Sequence, residues 1–269
     1  MPKPTQAESS DRHILYQDSV QDTEAEIDFV IETWEALRKR DAVYLREDFC
    51  GTAATACEWV RRHGDHVAVG IDLDQDVLDW GLANNVAALD ASQQERIELI
   101  CEDVTSTDPG AADIVLAMNF SYYLFTTRER LRAYFTNVLV GLEDDGIFFV
   151  DAYGGYESHM NVTEPRECEG HTYIWEQADF NPIDSTMNCY IHFEFPDKSR
   201  IDKAFVYHWR LWSLPEITEL LTEAGFGKVD VYWEGTDEES GEGDGIYTAS
   251  TRGDADPGWV CYVVAQKHS

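Results

Sequence analysis

The stretch Leu45-Arg46-Glu47-Asp48-Phe49-Cys50-Gly51-Thr52-Ala53 decides the fold. Acids close an apolar strand candidate at 42–47, and a tight turn of small residues opens a helical pattern over 52–63, which Gly64 ends. Such a turn lets backbone N–H groups approach a ligand closely at the positive end of a helix. Downstream, Val67-Ala68-Val69-Gly70-Ile71 is a continuous apolar run of the kind buried on both faces of a parallel sheet. It ends in Asp72, 21 residues beyond Gly51.

The alternation continues outward. Helical spacing over 76–88 is followed by strands at 97–101 and 113–118, a helix over 127–142 and a fifth strand at 146–150. Upstream, Thr23-Glu24-Ala25-Glu26 has capping-box form, and Ile27, Val30, Ile31, Trp34 and Leu37 recur at helical spacing, predicting a helix over 23–40. The first 20 or so residues read as loosely ordered. Strands and helices in strict alternation predict an α/β protein with a doubly wound parallel sheet.

The pattern changes after Asp151. Longer alternating strands at 173–177, 189–195 and 203–212, with a turn at 196–199, predict a three-stranded antiparallel insertion after the fifth strand. Ser213 then caps a helix that ends at Gly225, and strands at 229–233 and 259–265 complete a seven-stranded sheet. The stretch 235–257, rich in Gly, Asp and Glu, reads as a mobile loop. The expected divisions are 1–40 as a covering segment, 41–153 as a binding core, 154–212 as the insertion, and 213–269 as the close of the core.

Charge narrows the partners. Fifty-two acids against 20 bases leave a formal charge of −32, a field that repels phosphate backbones and anionic membranes. The basic runs at 38–40 and 128–132 read as solvated helix faces, so no nucleic-acid groove is expected. An acidic surface of this kind suits a halophilic setting. No apolar run reaches the roughly 20 residues a spanning helix needs, and residues 1–17 are polar, so the expected location is cytoplasmic. The six cysteines form no Cys-x-x-Cys pair and no zinc-ligand spacing, which predicts reduced thiols and no metal.

Three acids stand at successive strand ends: Glu47 or Asp48, Asp72, and Asp103 in Cys101-Glu102-Asp103-Val104. An acid at the second strand can accept from both hydroxyls of a ribose. A nicotinamide-nucleotide dehydrogenase would place Gly-x-Gly-x-x-Gly at the first turn, and that pattern is absent. The plainer reading of each acid is a helix cap or turn residue.

Together these residues resemble the class I S-adenosylmethionine-dependent methyltransferases. The family's first motif is an acid, a hydrophobe, then Gly-x-Gly-x-Gly; here Gly51 is kept while Phe49 and Ala53 stand at the outer glycine positions. The resemblance covers about 44–151 well and 214–265 more loosely. It implies a Rossmann-like fold, S-adenosylmethionine as cofactor, and contacts to it from Tyr16, Arg46, Glu47, Asp48, Phe49, Cys50, Gly51, Thr52, Asp72, Leu73, Asp103, Val104 and Asn119. Asp72 would hold the ribose, and Asp103 with Val104 the adenine. Arg46, a charge inside an apolar strand, would pair with a carboxylate of either the cofactor or the protein.

In that fold the end of the fourth strand faces the transferred methyl, which brings forward Asn119, Tyr122 and Tyr123. Tyr123, His171, His208 and Glu176 are candidates for a base or orienting group on the acceptor; a lone histidine in a strand is otherwise a satisfied structural residue. The insertion is similar in arrangement to that of the sugar-amine N,N-dimethyltransferases. This implies a small polar acceptor, with nitrogen as the accepting atom, and a homodimer. The alternatives are a non-catalytic S-adenosylmethionine-binding module and a methyltransferase acting on protein or RNA.

Overall fold

A computed structural model describes residues 3–108, 110–237 and 243–268. The helices are α1 (Gln6–Ser9), α2 (Arg12–Val20), α3 (Thr23–Leu37), α4 (Ala54–Arg62), α5 (Gln75–Asn84), α6 (Ala91–Gln94), α7 (Arg128–Val140) and α8 (Leu214–Ala224). The core strands are β1 (Tyr44–Asp48), β2 (Val67–Asp72), β3 (Ile97–Cys101), β4 (Ala112–Ala117) and β5 (Leu142–Gly154). The insertion holds β6 (Val162–Cys168), β7 (His171–Ala178), β8 (Thr186–Glu194) and β9 (Arg200–Arg210), and the chain ends with β10 (Lys228–Thr236), β11 (Gly243–Ser250) and β12 (Trp259–Gln266).

The main sheet has the order β11-β10-β12-β5-β4-β1-β2-β3. Strands β1 to β5 pair in parallel, and β12 runs antiparallel between β5 and β10. The seven expected strands are therefore all present. An eighth, β11, is added at the edge as a hairpin with β10, so part of the expected 235–257 loop is strand. Residues 238–242 of that stretch lie outside the described residues.

Close packing shows at Gly70. A Cβ there would lie 2.8 Å from Cys50 Sγ and 2.9 Å from a Leu99 methyl, so β2 passes β1's turn with no room for a side chain. α3 buries Ile27, Val30, Thr33 and Trp34, one stripe at helical spacing, against the sheet. Its cap is Asp22, whose carboxylate accepts the Ala25 N–H at 3.1 Å, rather than Thr23. The helix begins at Thr23, as expected, and stops at Leu37, three residues short of the expected end.

The insertion is a separate four-stranded antiparallel sheet, β6-β7-β8-β9. Its outer strand β6 is the one the alternation misses. It carries Pro165, is exposed along most of its length, and sits at a sheet edge, where a missing N–H costs nothing in the ladder. Residues 3–20 are ordered, not loose. Leu15 of α2 packs with Ile191, Phe193 and Ala204 of the inserted sheet. A nine-residue helix with so little apolar surface is stabilised by that distant sheet rather than by its own propensity.

Arg46 and Asp48 share one face of β1 inside the core. Arg46 Nε donates to Asp48 Oδ1 at 2.6 Å, and Tyr134 donates to Asp48 Oδ2 at 2.9 Å. Both charged side chains are wholly buried. Arg46→Ala leaves the carboxylate uncompensated, and we expect a loss of about 3–5 kcal/mol in urea unfolding. The double variant Arg46→Met with Asp48→Leu recovers most of it. Equal losses in single and double variants would show that the pair itself is not the source.

All six cysteines are free thiols; Cys50, Cys57, Cys189 and Cys261 are buried. No helix among the described residues is long and apolar enough to cross a membrane.

Candidate active site

The turn after β1 is built on alternating left-handed residues. Phe49, Gly51 and Ala53 have φ of 57°, 53° and 57°. These are the three positions that the first motif assigns to glycine. Two non-glycine residues hold that conformation at a cost of order 1–2 kcal/mol each, and packing offsets it: Phe49 lies against Tyr134 at 5.5 Å and Phe125 at 6.0 Å between ring centres. The register is thereby set, with Glu47 at the motif's acidic position.

Glu47 is buried and accepts the Ala56 N–H of α4 at 2.8 Å, satisfying one free donor of the first helical turn. Asp72 Oδ2 accepts the Gly51 N–H at 2.9 Å, and its Oδ1 accepts that of Asp74 at 3.0 Å. One carboxylate therefore ties β2's end to β1's turn. Each of its oxygens keeps capacity for a further donor. Asp103 accepts from the N–H and hydroxyl of Thr105 at 2.8 and 2.7 Å, and these bonds hold its carboxyl below the usual value. It is exposed and ionised beside the cavity.

A fourth acid was missed. Asp151, on β5, is buried and accepts the N–H groups of Asn119 and Phe120 at 2.7 and 2.8 Å. Those residues follow β4 in a left-handed pair, with φ of 58° and 56°. Its sequence signal was present: Val150-Asp151 repeats the acid-after-apolar-strand form of β1, β2 and β3.

Helix α2 roofs the site. Gln17 donates to Thr52 Oγ1 at 2.7 Å, and the Trp80 indole N–H donates to Asp11 at 2.8 Å, joining α2 to the core. On its other side the Tyr16 ring lies tilted against Phe205 of β9, with centres 4.9 Å apart, and Ser19 bonds His171 of β7 at 2.8 Å.

Two cavities lie beneath this roof. The first, about 660 Å³, is lined by Tyr16, Glu47, Asp48, Phe49, Cys50, Gly51, Thr52, Asp72, Leu73, Asp103, Val104 and Asn119, with Phe205, Tyr207, His208 and Trp209 of β9 opposite. The second, about 600 Å³, lies between the inserted sheet and the ends of β5, β10, β11 and β12. They share Tyr16, Asn119, Tyr207 and Trp209, so they meet at a boundary of three aromatic rings and one amide. The described lining of the second cavity carries Glu157, Glu164 and Glu234 and no Lys, Arg or His.

The structure thus gathers every expected cofactor residue except Arg46, which pairs with Asp48 within the protein. Among the acceptor candidates only His208 lines a cavity; it is exposed and bonded through Nδ1 to Asn188 at 2.5 Å. His171 is a buried tie to α2. Tyr123 is buried outside both described linings and donates to the Tyr153 carbonyl at 3.4 Å, while Glu176 bonds His192 at 2.9 Å. Tyr207 and Trp209 were not expected, although the period-two run Phe205, Tyr207, Trp209 marks one face of β9.

The arrangement matches solved structures. An S-adenosylmethionine-dependent methyltransferase of Clostridium acetobutylicum ATCC 824 is similar with a TM-score of 0.69 and 16% identity, over 96% of this chain and 98% of that one. This chain has the S-adenosylmethionine-dependent methyltransferase fold. CalS10, an amino pentose methyltransferase of Micromonospora echinaspora solved with S-adenosylmethionine bound, shares that fold with a TM-score of 0.66 and 15% identity, over 99% of each chain. DesVI of Streptomyces venezuelae does so with a TM-score of 0.64 and 19% identity, over 94% and 95%. No family model and no curated protein sequence matches the chain.

Within the methyltransferase fold, burial raises three acids above their ordinary range. Burial pushes Glu26 up to about 8 and Asp151 up to about 7, and it raises Glu47 well above its ordinary value. The unfolded chain ionises these groups near pH 4. Between about pH 4 and about pH 8 the folded protein therefore binds more protons, and stability contributed by these groups falls as pH rises. We expect a higher melting temperature at about pH 6 than at about pH 9 in constant salt, measured by differential scanning fluorimetry. A melting temperature that rises across that window would contradict it.

Proposed function

We propose that this chain is an S-adenosylmethionine-dependent methyltransferase whose acceptor is a small molecule presenting an amine nitrogen. The observation that carries the reading is the meeting of two cavities at Tyr16, Asn119, Tyr207 and Trp209. One cavity has the donor set for a nucleoside: the Gly51 turn, Asp72 for ribose hydroxyls, and Asp103 with Val104 for the adenine edge. When bound there, S-adenosylmethionine supplies a methyl group on positively charged sulfur for in-line displacement.

The chain's own residues do the rest. Asp151 holds the Asn119-Phe120 turn that separates the two cavities. α2 roofs both and keeps water from the transfer point, as Tyr16 belongs to each lining. Burial raises the hydroxyls of Tyr16 and Tyr207, so they remain protonated and orient an acceptor rather than take its proton. Glu157, Glu164 and Glu234 favour a basic acceptor. Positioning of this kind, without covalent catalysis, is sufficient for methyl transfer.

CalS10 is named an amino pentose methyltransferase, which supports nitrogen as the accepting atom. Residues 154–212 then act as the acceptor lid, and residues 1–40 cover the cofactor. The open edge of β6 is a surface on which a second copy could pair. The charge of −32 speaks against nucleic-acid substrates and fits a surface hydrated in concentrated salt.

The test is release of S-adenosylhomocysteine against a panel of small primary amines, beside matched alcohols and carboxylates. Amine-dependent release is the expected result. Tight S-adenosylmethionine binding with no turnover on any acceptor would favour a sensing module instead.

A further inference from the structure

The second cavity holds more than a place for an amine. Its lining includes a linked run of aromatic rings, Phe120, Tyr153, Trp175, Tyr207 and Trp209, of which Tyr207 and Trp209 also border the first cavity. These rings support one another, with centres 4.8 Å apart for Phe120 and Tyr153, 4.6 Å for Tyr207 and Trp209, and 5.9 Å for Trp175 and Trp209. Asp151 fixes the backbone of Phe120 from below. The wall is preformed and belongs to three separate elements, the β4 turn, β5 and the inserted sheet.

We propose that this wall is a box for methylated ammonium groups, and that the enzyme methylates one nitrogen repeatedly, to a quaternary ammonium. The proposal rests on the amine reading above. Ring faces attract cations, and the gain grows as the cation sheds its water. A primary ammonium is strongly hydrated and is held back by that cost. Each added methyl replaces a hydrated N–H with apolar surface, so the partly methylated intermediate binds better than the starting amine. Glu157, Glu164 and Glu234 attract every member of such a series through charge alone. The cavity, at about 600 Å³, also accommodates the body that carries the nitrogen.

The chemistry balances with one S-adenosylmethionine per methyl. The nitrogen lone pair forms the new C–N bond as the C–S bond breaks, and the bonding pair leaves with sulfur in S-adenosylhomocysteine. After the first and second transfers the ammonium gives its proton to water, restoring the lone pair. The third transfer starts from a tertiary amine, releases no proton, and leaves a permanent cation.

The experiment titrates protein saturated with S-adenosylhomocysteine against methylammonium, dimethylammonium, trimethylammonium and tetramethylammonium chlorides, read by tryptophan fluorescence at constant ionic strength. Choline is compared with its neutral carbon isostere, dimethylbutanol. We expect affinity to rise about tenfold or more across the series, choline to exceed its isostere, and Trp175→Leu to remove about tenfold of tetramethylammonium affinity. Trp175 touches only the second cavity, so S-adenosylhomocysteine affinity should stay within about twofold. A flat series, or equal binding of choline and its isostere, overturns the proposal while leaving the amine reading intact. Failure of S-adenosylhomocysteine to bind overturns both.

Discussion

Asp72→Ala weakens S-adenosylmethionine binding by about 10- to 100-fold, read by calorimetry on the folded variant. The figure follows from hydrogen bonds to a charged acceptor, each contributing roughly 1.5–3 kcal/mol. Asp72 has two roles in the proposed reading. Its oxygens would accept from the ribose, and it anchors the Gly51 N–H at 2.9 Å, which shapes the left-handed turn at the cavity. Asp72→Asn separates the two roles. The amide retains one acceptor for a backbone N–H but lacks the second acceptor needed to chelate a ribose. It should recover stability more than affinity. A folded Asp72→Ala protein with unchanged affinity would remove Asp72 from the cofactor site.

Asp151→Ala is expected to have the largest effect on turnover. The carboxylate accepts both N–H groups of a left-handed pair, and among the described residues no other acceptor serves them. Its loss leaves two part-buried donors without that partner, at about 1 kcal/mol each. The turn then relaxes, moving Asn119 and Phe120 at the boundary between the cavities. A displacement of about 1 Å costs on the order of 100-fold in rate when alignment is the main catalytic device. We expect kcat to fall by about that much while the KM for S-adenosylmethionine changes by less than about threefold, since the Asp72 contacts are untouched. Asp151→Asn should recover part of the rate, because its carbonyl still accepts one N–H. Steady-state kinetics on any accepted amine decides it. An Asp151→Ala enzyme with normal kcat would show that the turn is held by its packing alone.

The fold was legible because its signals are local. Apolar runs at 67–71 and 146–150, caps such as Ser213, and acids at strand ends each report on their own few residues. The lining of the first cavity was legible for the same reason: its floor is made of consecutive strand ends, so Glu47, Asp72 and Asp103 are spaced by the β-α repeat itself. The first turn was readable despite losing two glycines, since backbone conformation, not residue type, is what the ligand meets. Phe49 and Ala53 adopt the glycine geometry.

What failed was long-range. α2 reads as a polar tail until β8 and β9, nearly 180 residues later, give Leu15 a surface to bury against. Arg46 reads equally as a partner for the cofactor or for the protein until the fold shows Asp48 on the same face of the same strand and Tyr134 closing over both. Of the candidates proposed to act on the acceptor, His171 turned out to be a tether.

By itself, then, the order of residues determined the doubly wound sheet, the strand-end acids and the presence of an inserted sheet, because hydrophobic period and turn chemistry act over ten residues or fewer. Only the tertiary structure decided which charges face a cavity and which neutralise one another. It also decided that α2 and β9 close over the site and that two cavities meet at Tyr16, Asn119, Tyr207 and Trp209. The physical reason is that burial and pairing are properties of what lies across a gap, and the groups across this one come from opposite ends of the chain.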